Sequence, residues 1–347
     1  MKKRITSQDV ADLAGVSRTT VSFVLNNNQR FSIRPETAQK VRDAAKELNY
    51  YPNASARALA SNQTKIIGLI MTRDPQYIAS DPFLPQILGG LLDVLKENSQ
   101  GLLIEWVEPG EQLHTYLELT RAHHIDGIIL MTPRTDDEGL KTLEEADIPV
   151  VLMGSIPGSL LHSVDVDNRG AAEIAVRHLI ELGHRKIACI TNAPLPYTSA
   201  IQRLEGYQKA LANAGIPYDP ALVREADFTT QSGSEQMRSL LDSGQEFTAV
   251  FVASDNVALG AYSAIREAGL NIPTDLSVVG FDDIPLAAFI EPALTTIRMP
   301  AREIAQNSYH LLMRLMKHDF PDSREAALPT DLVLRDSTAP LMKIRKS

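Results

Sequence analysis

The chain has 347 residues, of which 44% are hydrophobic and 22% charged, and a formal net charge of −9 at neutral pH. Its length suggests two or three domains, and its apolar content excludes wholesale disorder. Cys189 is the only cysteine, which excludes an intrachain disulfide framework and four-cysteine zinc modules.

The net charge is unevenly divided. Residues 1–62 hold ten Lys/Arg and five Asp/Glu, whereas the remaining 285 residues hold 24 and 38. A head of +5 on a body of −14 points to nucleic acid at one end only. Met1-Lys2-Lys3-Arg4 resembles the start of a signal peptide, but the Ile5-Thr6-Ser7-Gln8-Asp9 that follows is not an apolar core. No apolar run approaches the ~18 residues that span a bilayer. The expectation is a soluble, cytoplasmic protein without membrane partners.

Residues 6–50 read as three short helices. Ser7 can cap the first, with Val10, Leu13 and Ala14 inward and Gly15 making the tight turn that ends it. Ser17 caps the second, whose Val21, Val24 and Leu25 face inward. After a polar loop, Pro35 suits the first turn of a third helix burying Ala38, Val41, Ala45 and Leu48. Tyr50-Tyr51-Pro52-Asn53 stops it, and the alanine-rich stretch 53–64 is a connector too short to be a stable helix alone.

From Lys65 the pattern alternates. Short apolar runs at Ile66–Met71, Leu102–Val107, Gly127–Met131, Val150–Met153, Ile187–Thr191, Ala249–Ala253 and Val278–Phe281 read as buried parallel strands. Amphipathic stretches at Gln86–Asn98, Asn168–Leu182, Arg203–Ala214 and Asn256–Ala268 read as the helices between them. This is α/β order, implying doubly wound parallel sheet, and about 280 residues suffice for two lobes.

Two helices joined by Gly15 form a helix-turn-helix whose second helix can enter a major groove. With Val21, Val24 and Leu25 inward, Arg18, Thr19, Ser22 and Phe23 point out. Arg18 can fork onto guanine, Thr19 can reach either base type, and Phe23 can touch a thymine methyl. Thr6, Ser7, Thr20 and Asn27 are candidate phosphate contacts, which position the domain without reading sequence. The bland alternative is a helical cap domain with a solvated face; the local charge favours DNA.

Residues 5–70 resemble the headpiece of the lactose/galactose/purine repressor family. Ala14-Gly15-Val16-Ser17 with Thr20-Val21-Ser22 matches its helix-turn-helix, and Leu48-Asn49-Tyr50-Tyr51-Pro52-Asn53 its approach to the hinge. Ala56-Arg57-Ala58-Leu59-Ala60 matches its hinge helix, and Ile67-Gly68-Leu69-Ile70 the first core strand. The resemblance implies that Ala58 and Leu59 enter the minor groove, with Leu59 as a wedge that unstacks one step. Composition alone leaves Leu59 equally able to pack within its linker. Phe23 stands where the family usually has Arg, and Arg34 replaces the usual Ser cap before Pro35.

The core is similar to the same family and, through it, to type I periplasmic sugar-binding proteins. Asp126–Ile129, His178–His184, Arg203–Tyr207, Val279–Asp283 and Leu294–Ile297 are the matching blocks. The resemblance implies an effector cleft between lobes, with Phe83, Arg203, Phe228, Asp255 and Asp282 as contacts. A guanidinium fork and a carboxylate suit sugar hydroxyls, or a ligand carboxylate or phosphate. Ser254 stands where the lactose repressor has Asn, and Gly154 where it has Asp, which argues against a lactose-like ligand. Asp255 also reads as a helix cap before Asn256. Asp282 and Asp283, adjacent on a strand, point to opposite faces and do not form a catalytic pair.

His114, His123, His124, His178 and His184 show no metal-ligand grouping, with His123 and His124 read as surface residues, His184 as a helix-end residue favoured by the dipole, and Cys189 as a buried small hydrophobe. No nucleophile elbow or phosphate-cradling loop is present, so neither an enzyme nor a cofactor is expected.

The expected organisation is a headpiece at 1–52, a hinge at 53–64, a two-lobed core at 65–340 and a tail at 341–347. One lobe takes 65–165 plus 297–323, the other 166–296 plus 324–340. The expected protein is a homodimeric repressor of a palindromic double-stranded operator, governed by a sugar, sugar phosphate or nucleoside/base, with room for a protein corepressor. The tail is too short for tetramer-building heptads. A periplasmic-type solute-binding protein shares the core but has no use for the first 62 residues.

Overall fold

A computed structural model of the chain describes residues 5–26, 33–51, 63–72, 81–108, 110–121, 124–145 and 148–341. Contacts divide it into two units, Met1–Lys65 and Ile66–Ser347. Asn27, Ala58, Leu59, His123 and most of the hinge lie outside the described residues.

The first unit holds three helices, α1 (Ser7–Ala14), α2 (Arg18–Leu25) and α3 (Pro35–Glu47). Their shared core is Val10, Ala11, Val21, Val24, Val41, Ala44 and Ala45. Two details differ from expectation. The cap of α1 is Thr6 rather than Ser7: its hydroxyl accepts the Asp9 amide while the Asp9 carboxylate accepts the Thr6 amide. That reciprocal box satisfies two otherwise orphaned donors, which a serine one residue later does not. Leu13 is 47% exposed, because Ala11 takes the inward position. Gly15 adopts φ +65°, the left-handed geometry that closes α1. Ser17 caps α2 as expected, accepting from the Thr20 amide at 3.1 Å. Arg34 provides no side-chain cap for α3.

The second unit is built on two six-stranded sheets. The first uses β1 (Ile66–Met71), β2 (Gly101–Trp106), β3 (Gly127–Met131), β4 (Val150–Met153), β5 (His162–Val166) and β11 (Glu325–Leu328), in spatial order β11-β5-β4-β3-β1-β2. All its pairings are parallel. The second uses β6 (Ile187–Ile190), β7 (Val223–Arg224), β8 (Ala249–Val252), β9 (Ser277–Asp282), β10 (Thr295–Arg298) and β12 (Asp331–Val333), ordered β12-β10-β9-β8-β6-β7. Only β12, paired to β10, runs antiparallel. The doubly wound expectation for the core therefore holds in both lobes.

Between the strands, α4 (Leu84–Glu97), α5 (Gln112–Arg121) and α6 (Leu140–Glu145) belong to the first lobe. The second carries α7 (Asn168–Glu181), α8 (Thr198–Asn213), α9 (Thr230–Asp242) and α10 (Asp255–Glu267). The last helix, α11 (Ala301–Leu315), returns to pack on α4 and the first sheet, where Ile304, Ala305, Tyr309 and Leu312 join the core of Ile67, Leu69, Ile129 and Val151. Gly90 lets α4 approach this closely: a Cβ there would lie 2.5 Å from the Arg302 carbonyl oxygen.

The chain passes between the lobes three times: after Val166, between Arg298 and Ala301, and between Leu328 and Asp331. The lobe limits drawn from sequence need moving at two places. β10 continues through Arg298 in the second sheet, and β11 pairs with β5 in the first sheet although 324–340 was assigned to the second lobe. Glu325-Ala-Ala-Leu328 is short and mostly exposed, so no apolar run announces it.

Candidate functional site

On the first unit, α2 presents Arg18, Thr19 and Ser22 to solvent, while Phe23 is half-buried. Val21 and Val24 on the opposite side are buried in the three-helix core, so the apolar stripe fixes which face is offered. The Thr6 and Thr20 hydroxyls already serve the caps: Thr6 donates to Asp9 at 2.7 Å and Thr20 lies 2.9 Å from Ser17 Oγ. The Ser22 hydroxyl accepts from Asn26 Nδ2 at 3.1 Å. The result is a polar, basic-tipped helix held by a capped partner helix, suited to base edges and phosphates.

On the second unit, a cleft opens where the two lobes face each other. The first lobe contributes Asp81, Phe83, Thr132 and Asp165, the second Asn192, Arg203, Phe228, Ser254 and Asp282. Thr132, Asn192, Ser254 and Asp282 follow or end strands β3, β6, β8 and β9, the carboxyl ends where ligands bind in such sheets. Four of the five expected contacts, Phe83, Arg203, Phe228 and Asp282, thus meet around one space.

Asp255 does not line it. As the first residue of α10 it is fully buried, and its carboxylate accepts from the Ile284 amide at 3.0 Å and the Thr296 hydroxyl at 2.6 Å. It ties β9, β10 and α10 together, and Gly280 is required beside it, since a Cβ there would stand 2.2 Å from Asp255 Oδ1. Nor does it cap α10, whose cap position is Ser254.

Arg203 is the hub. Its Nε donates to Asn168 Oδ1 at 2.9 Å, and Nη1 to the Ala253 carbonyl at 2.6 Å and to Asp282 Oδ1 at 3.4 Å. Nη2 contacts Met299 Sδ at 3.2 Å, and the guanidinium lies 3.7 Å from the Phe281 ring centroid. Asn168 in turn donates to Asp165 Oδ2 at 3.1 Å. Asp165 and Asn168 flank the first crossing between lobes and Met299 sits in the second, so one guanidinium touches two of the three crossings. Burial lowers the Arg203 pKa, opposed by Asp282. Burial also pushes Asp282 up to about 6 against the pull of Arg203, and Asp165 up to about 6 against the Val166 amide. Asp282 has φ +121°, a strained position for a residue with a Cβ. Asp283 lies past the end of β9 at φ +56° and pairs with Arg298 and Arg335, so the turn rather than strand alternation separates the two carboxylates.

Phe228 is similarly fixed. Its backbone adopts φ +70°, its amide donates to the Asn192 carbonyl at 2.7 Å, and its ring meets Tyr197 edge-on at 5.0 Å. The lobes also latch at the cleft edge: Tyr197 Oη donates to the Thr72 carbonyl at 3.2 Å, and the Thr135 amide to Pro196 at 2.8 Å. Gly154 has φ +116°, and a Cβ would lie 2.7 Å from Pro133 Cδ, so this position excludes a side chain as well as lacking one.

Residues that sequence reasoning missed are Asp81, Asp165, Asn168 and Asn192. A charge inside Val164-Asp-Val166 was a signal for Asp165, since an apolar strand otherwise avoids it. His184 is a correction: it is buried, bridging the Thr248 hydroxyl at 2.9 Å and the Ala339 carbonyl at 3.0 Å, and burial lowers its pKa. A neutral, doubly bonded ring replaces the expected charge–dipole role. Cys189 is buried and its thiol pushed up by burial. Among the described residues no metal-holding group and no helix able to cross a membrane is present.

Comparison with known proteins gives a consistent result. Residues 6–53 match the profile of bacterial regulatory proteins of the lacI family, and 176–338 that of the periplasmic binding protein-like domain. The transcriptional regulator CelR of Thermobifida fusca is 36% identical over 342 residues, covering 97% of this chain and 99% of the relative. The repressor CytR of Escherichia coli K12 is 36% identical over 340 residues, covering 97% of each. Among solved structures, the lac repressor dimer bound to operator and an anti-inducer superposes with a TM-score of 0.85 at 32% identity, covering 97% of this chain and all of that one. A CelR–cellobiose complex gives 0.74 at 34% identity, covering 96% and 100%.

Proposed function

The chain belongs to the lacI family of bacterial regulatory proteins, and from that premise we propose how its two sites divide the work of a ligand-controlled repressor. It is a DNA-binding transcriptional regulator, not an enzyme, and its partners are operator DNA and a small-molecule effector. The observation that carries the reading is the pairing, in one chain, of a capped helix-turn-helix offering Arg18, Thr19 and Ser22 with a polar cleft centred on Arg203.

Arg18, Thr19, Ser22 and Phe23 are the base-reading positions, and Thr6, Ser7, Thr20 and Asn27 the phosphate contacts. In a homodimer the two α2 helices enter successive major grooves, about 34–36 Å apart, of a palindromic operator. Residues 53–64 act as the hinge, with Ala58 and Leu59 in the minor groove. A protein working on operator DNA works in the cytoplasm.

Phe83, Arg203, Phe228 and Asp282 bind the effector, with a ring packed by the aromatics and hydroxyls met by the fork and carboxylate. A sugar is the effector class that the CelR–cellobiose complex supports. An effector that draws on Arg203 Nη2 competes with Met299, and one that engages Asp165 pulls on the first crossing. Control then requires only that the effector bind one lobe arrangement better than the other.

A retardation assay tests this: site-specific binding to a palindromic duplex that weakens with salt and shifts with a bound sugar supports it. Binding to no duplex, or equal binding to all, contradicts it.

A further inference from the structure

Among the described residues lining the cleft, Asn192 alone keeps a buried polar side-chain atom without a partner. The other two asparagines there are satisfied. Asn168 accepts from Arg203 and donates to Asp165, and Asn256 accepts from the Thr230 hydroxyl at 3.0 Å and donates to the Phe228 carbonyl at 2.8 Å. Asn192 is 2% exposed and its Nδ2 donates to Ser199 Oγ at 3.0 Å, but its Oδ1 has no partner. Buried polar atoms are nearly always paired, and an orphaned one lowers stability. Nor does the local turn need this side chain: the Phe228 amide bonds the Asn192 carbonyl at 2.7 Å, which a residue of any type supplies. The side-chain oxygen has no use within the fold.

Its neighbours narrow the chemistry. Phe228, tied to Asn192 by that backbone bond, lines the same cleft, as does Ser199. Ser199 Oγ accepts from Asn192, so its own proton can turn to a ligand atom. An atom that meets both side chains has to donate to Asn192 Oδ1 and accept from Ser199. A hydroxyl does both. An ammonium has no lone pair to accept with, and an ionised carboxylate has no proton to give.

Resting on the effector reading above, we propose that Asn192 is a specificity-determining acceptor, taking a hydrogen bond from one hydroxyl of a neutral sugar whose ring lies against Phe228. Water does not reach Oδ1 while the lobes are latched through Tyr197 and Thr135, so the hydroxyl enters with the lobes apart and is closed over. The latched arrangement carries an orphaned oxygen without the sugar and a paired one with it. That difference is a preference of the effector for one lobe arrangement. A sugar lacking the hydroxyl leaves the oxygen orphaned and is rejected.

The test is calorimetric titration of the full chain with cellobiose, glucose, galactose and mannose, and with adenine and cytosine, which carry N–H groups but no hydroxyl. The sugar that binds is repeated as its deoxyfluoro analogues, one ring position at a time, since fluorine keeps the size but cannot donate. The expected result is one analogue binding at least about tenfold more weakly than its parent. Asn192→Leu, of similar volume, loses about the same factor for the parent and no longer distinguishes the two. Unliganded Asn192→Leu melts no lower than the natural chain, whereas loss of a merely structural asparagine lowers the melting temperature. The proposal is overturned by no sugar binding, by a base binding more tightly than every sugar, or by no analogue losing tenfold. A penalty unchanged in Asn192→Leu, or a variant that melts lower or fails to fold, overturns it equally. Operator binding by the unliganded chain, measured in parallel, tests the repressor reading separately.

Discussion

Replacing Arg203 by methionine isolates what the hub contributes. The change keeps an unbranched stem over Phe281 but removes the charge, stranding the Asn168 Oδ1, the Ala253 carbonyl and the Asp282 carboxylate that accept from it. Removing one partner of a buried ion pair costs about 3–5 kcal/mol, and an abandoned buried acceptor about 1–3 kcal/mol. These overlap, because Asp282 can take a proton more readily once Arg203 is gone. A net loss of about 4 kcal/mol is therefore expected. Trp106, the single tryptophan, lies on β2 and reports denaturant unfolding of the second unit. Adding Asp282→Leu to Arg203→Met should restore at least about 1.5 kcal/mol, since two apolar groups no longer leave a charge unpaired. A loss below about 1 kcal/mol in Arg203→Met, or a double variant no more stable than the single, refutes the hub as described.

Other outcomes follow from particular residues. Gly154→Asp meets both a φ of +116° and Pro133 at 2.7 Å, so it should lose about 2 kcal/mol and weaken effector binding in thermal-shift titration. Asp165 has its pKa raised from 3.8 to about 6 in the fold. Its favourable contribution is present below about 4 and lost as pH rises to about 6, by up to ~3 kcal/mol. Unfolding of Asp165→Asn should lack that fall, and equal pH slopes in both proteins would remove the assignment. Thr6→Ala breaks the capping box and should cost the headpiece about 1 kcal/mol by circular-dichroism melting, while Ser7→Ala changes it little. Leu59→Ala should weaken specific operator binding far more than non-specific binding in retardation assays, and an equal loss in both removes the wedge from the account.

Much of the fold was legible because its parallel strands are continuous apolar runs. β1, β3 and β4 coincide with the stretches read from sequence, each being buried along nearly its whole length. β5 and β11 escaped for the opposite reason: His162, Asp165 and Glu325 interrupt the apolar signal at the sheet's edge. The site shows the same division. Arg203 and Asp282 sit in local blocks that a family resemblance can carry. Asp165 and Asn168 acquire their role only when β5 and α7 converge on one guanidinium, and no local pattern encodes that meeting. Asp255 shows the converse, a polar residue at a strand end that the fold uses for itself.

The charge division that begins at the headpiece leads to the most direct measurement. Duplexes selected by the full chain from a random pool should converge on a palindrome, its half-sites one helical turn apart, with affinity falling steeply between low and physiological salt. Arg18→Ala should relax the choice at one base in each half-site. A pool that stays random after repeated selection, or a consensus unchanged in Arg18→Ala, contradicts the claim that α2 reads an operator.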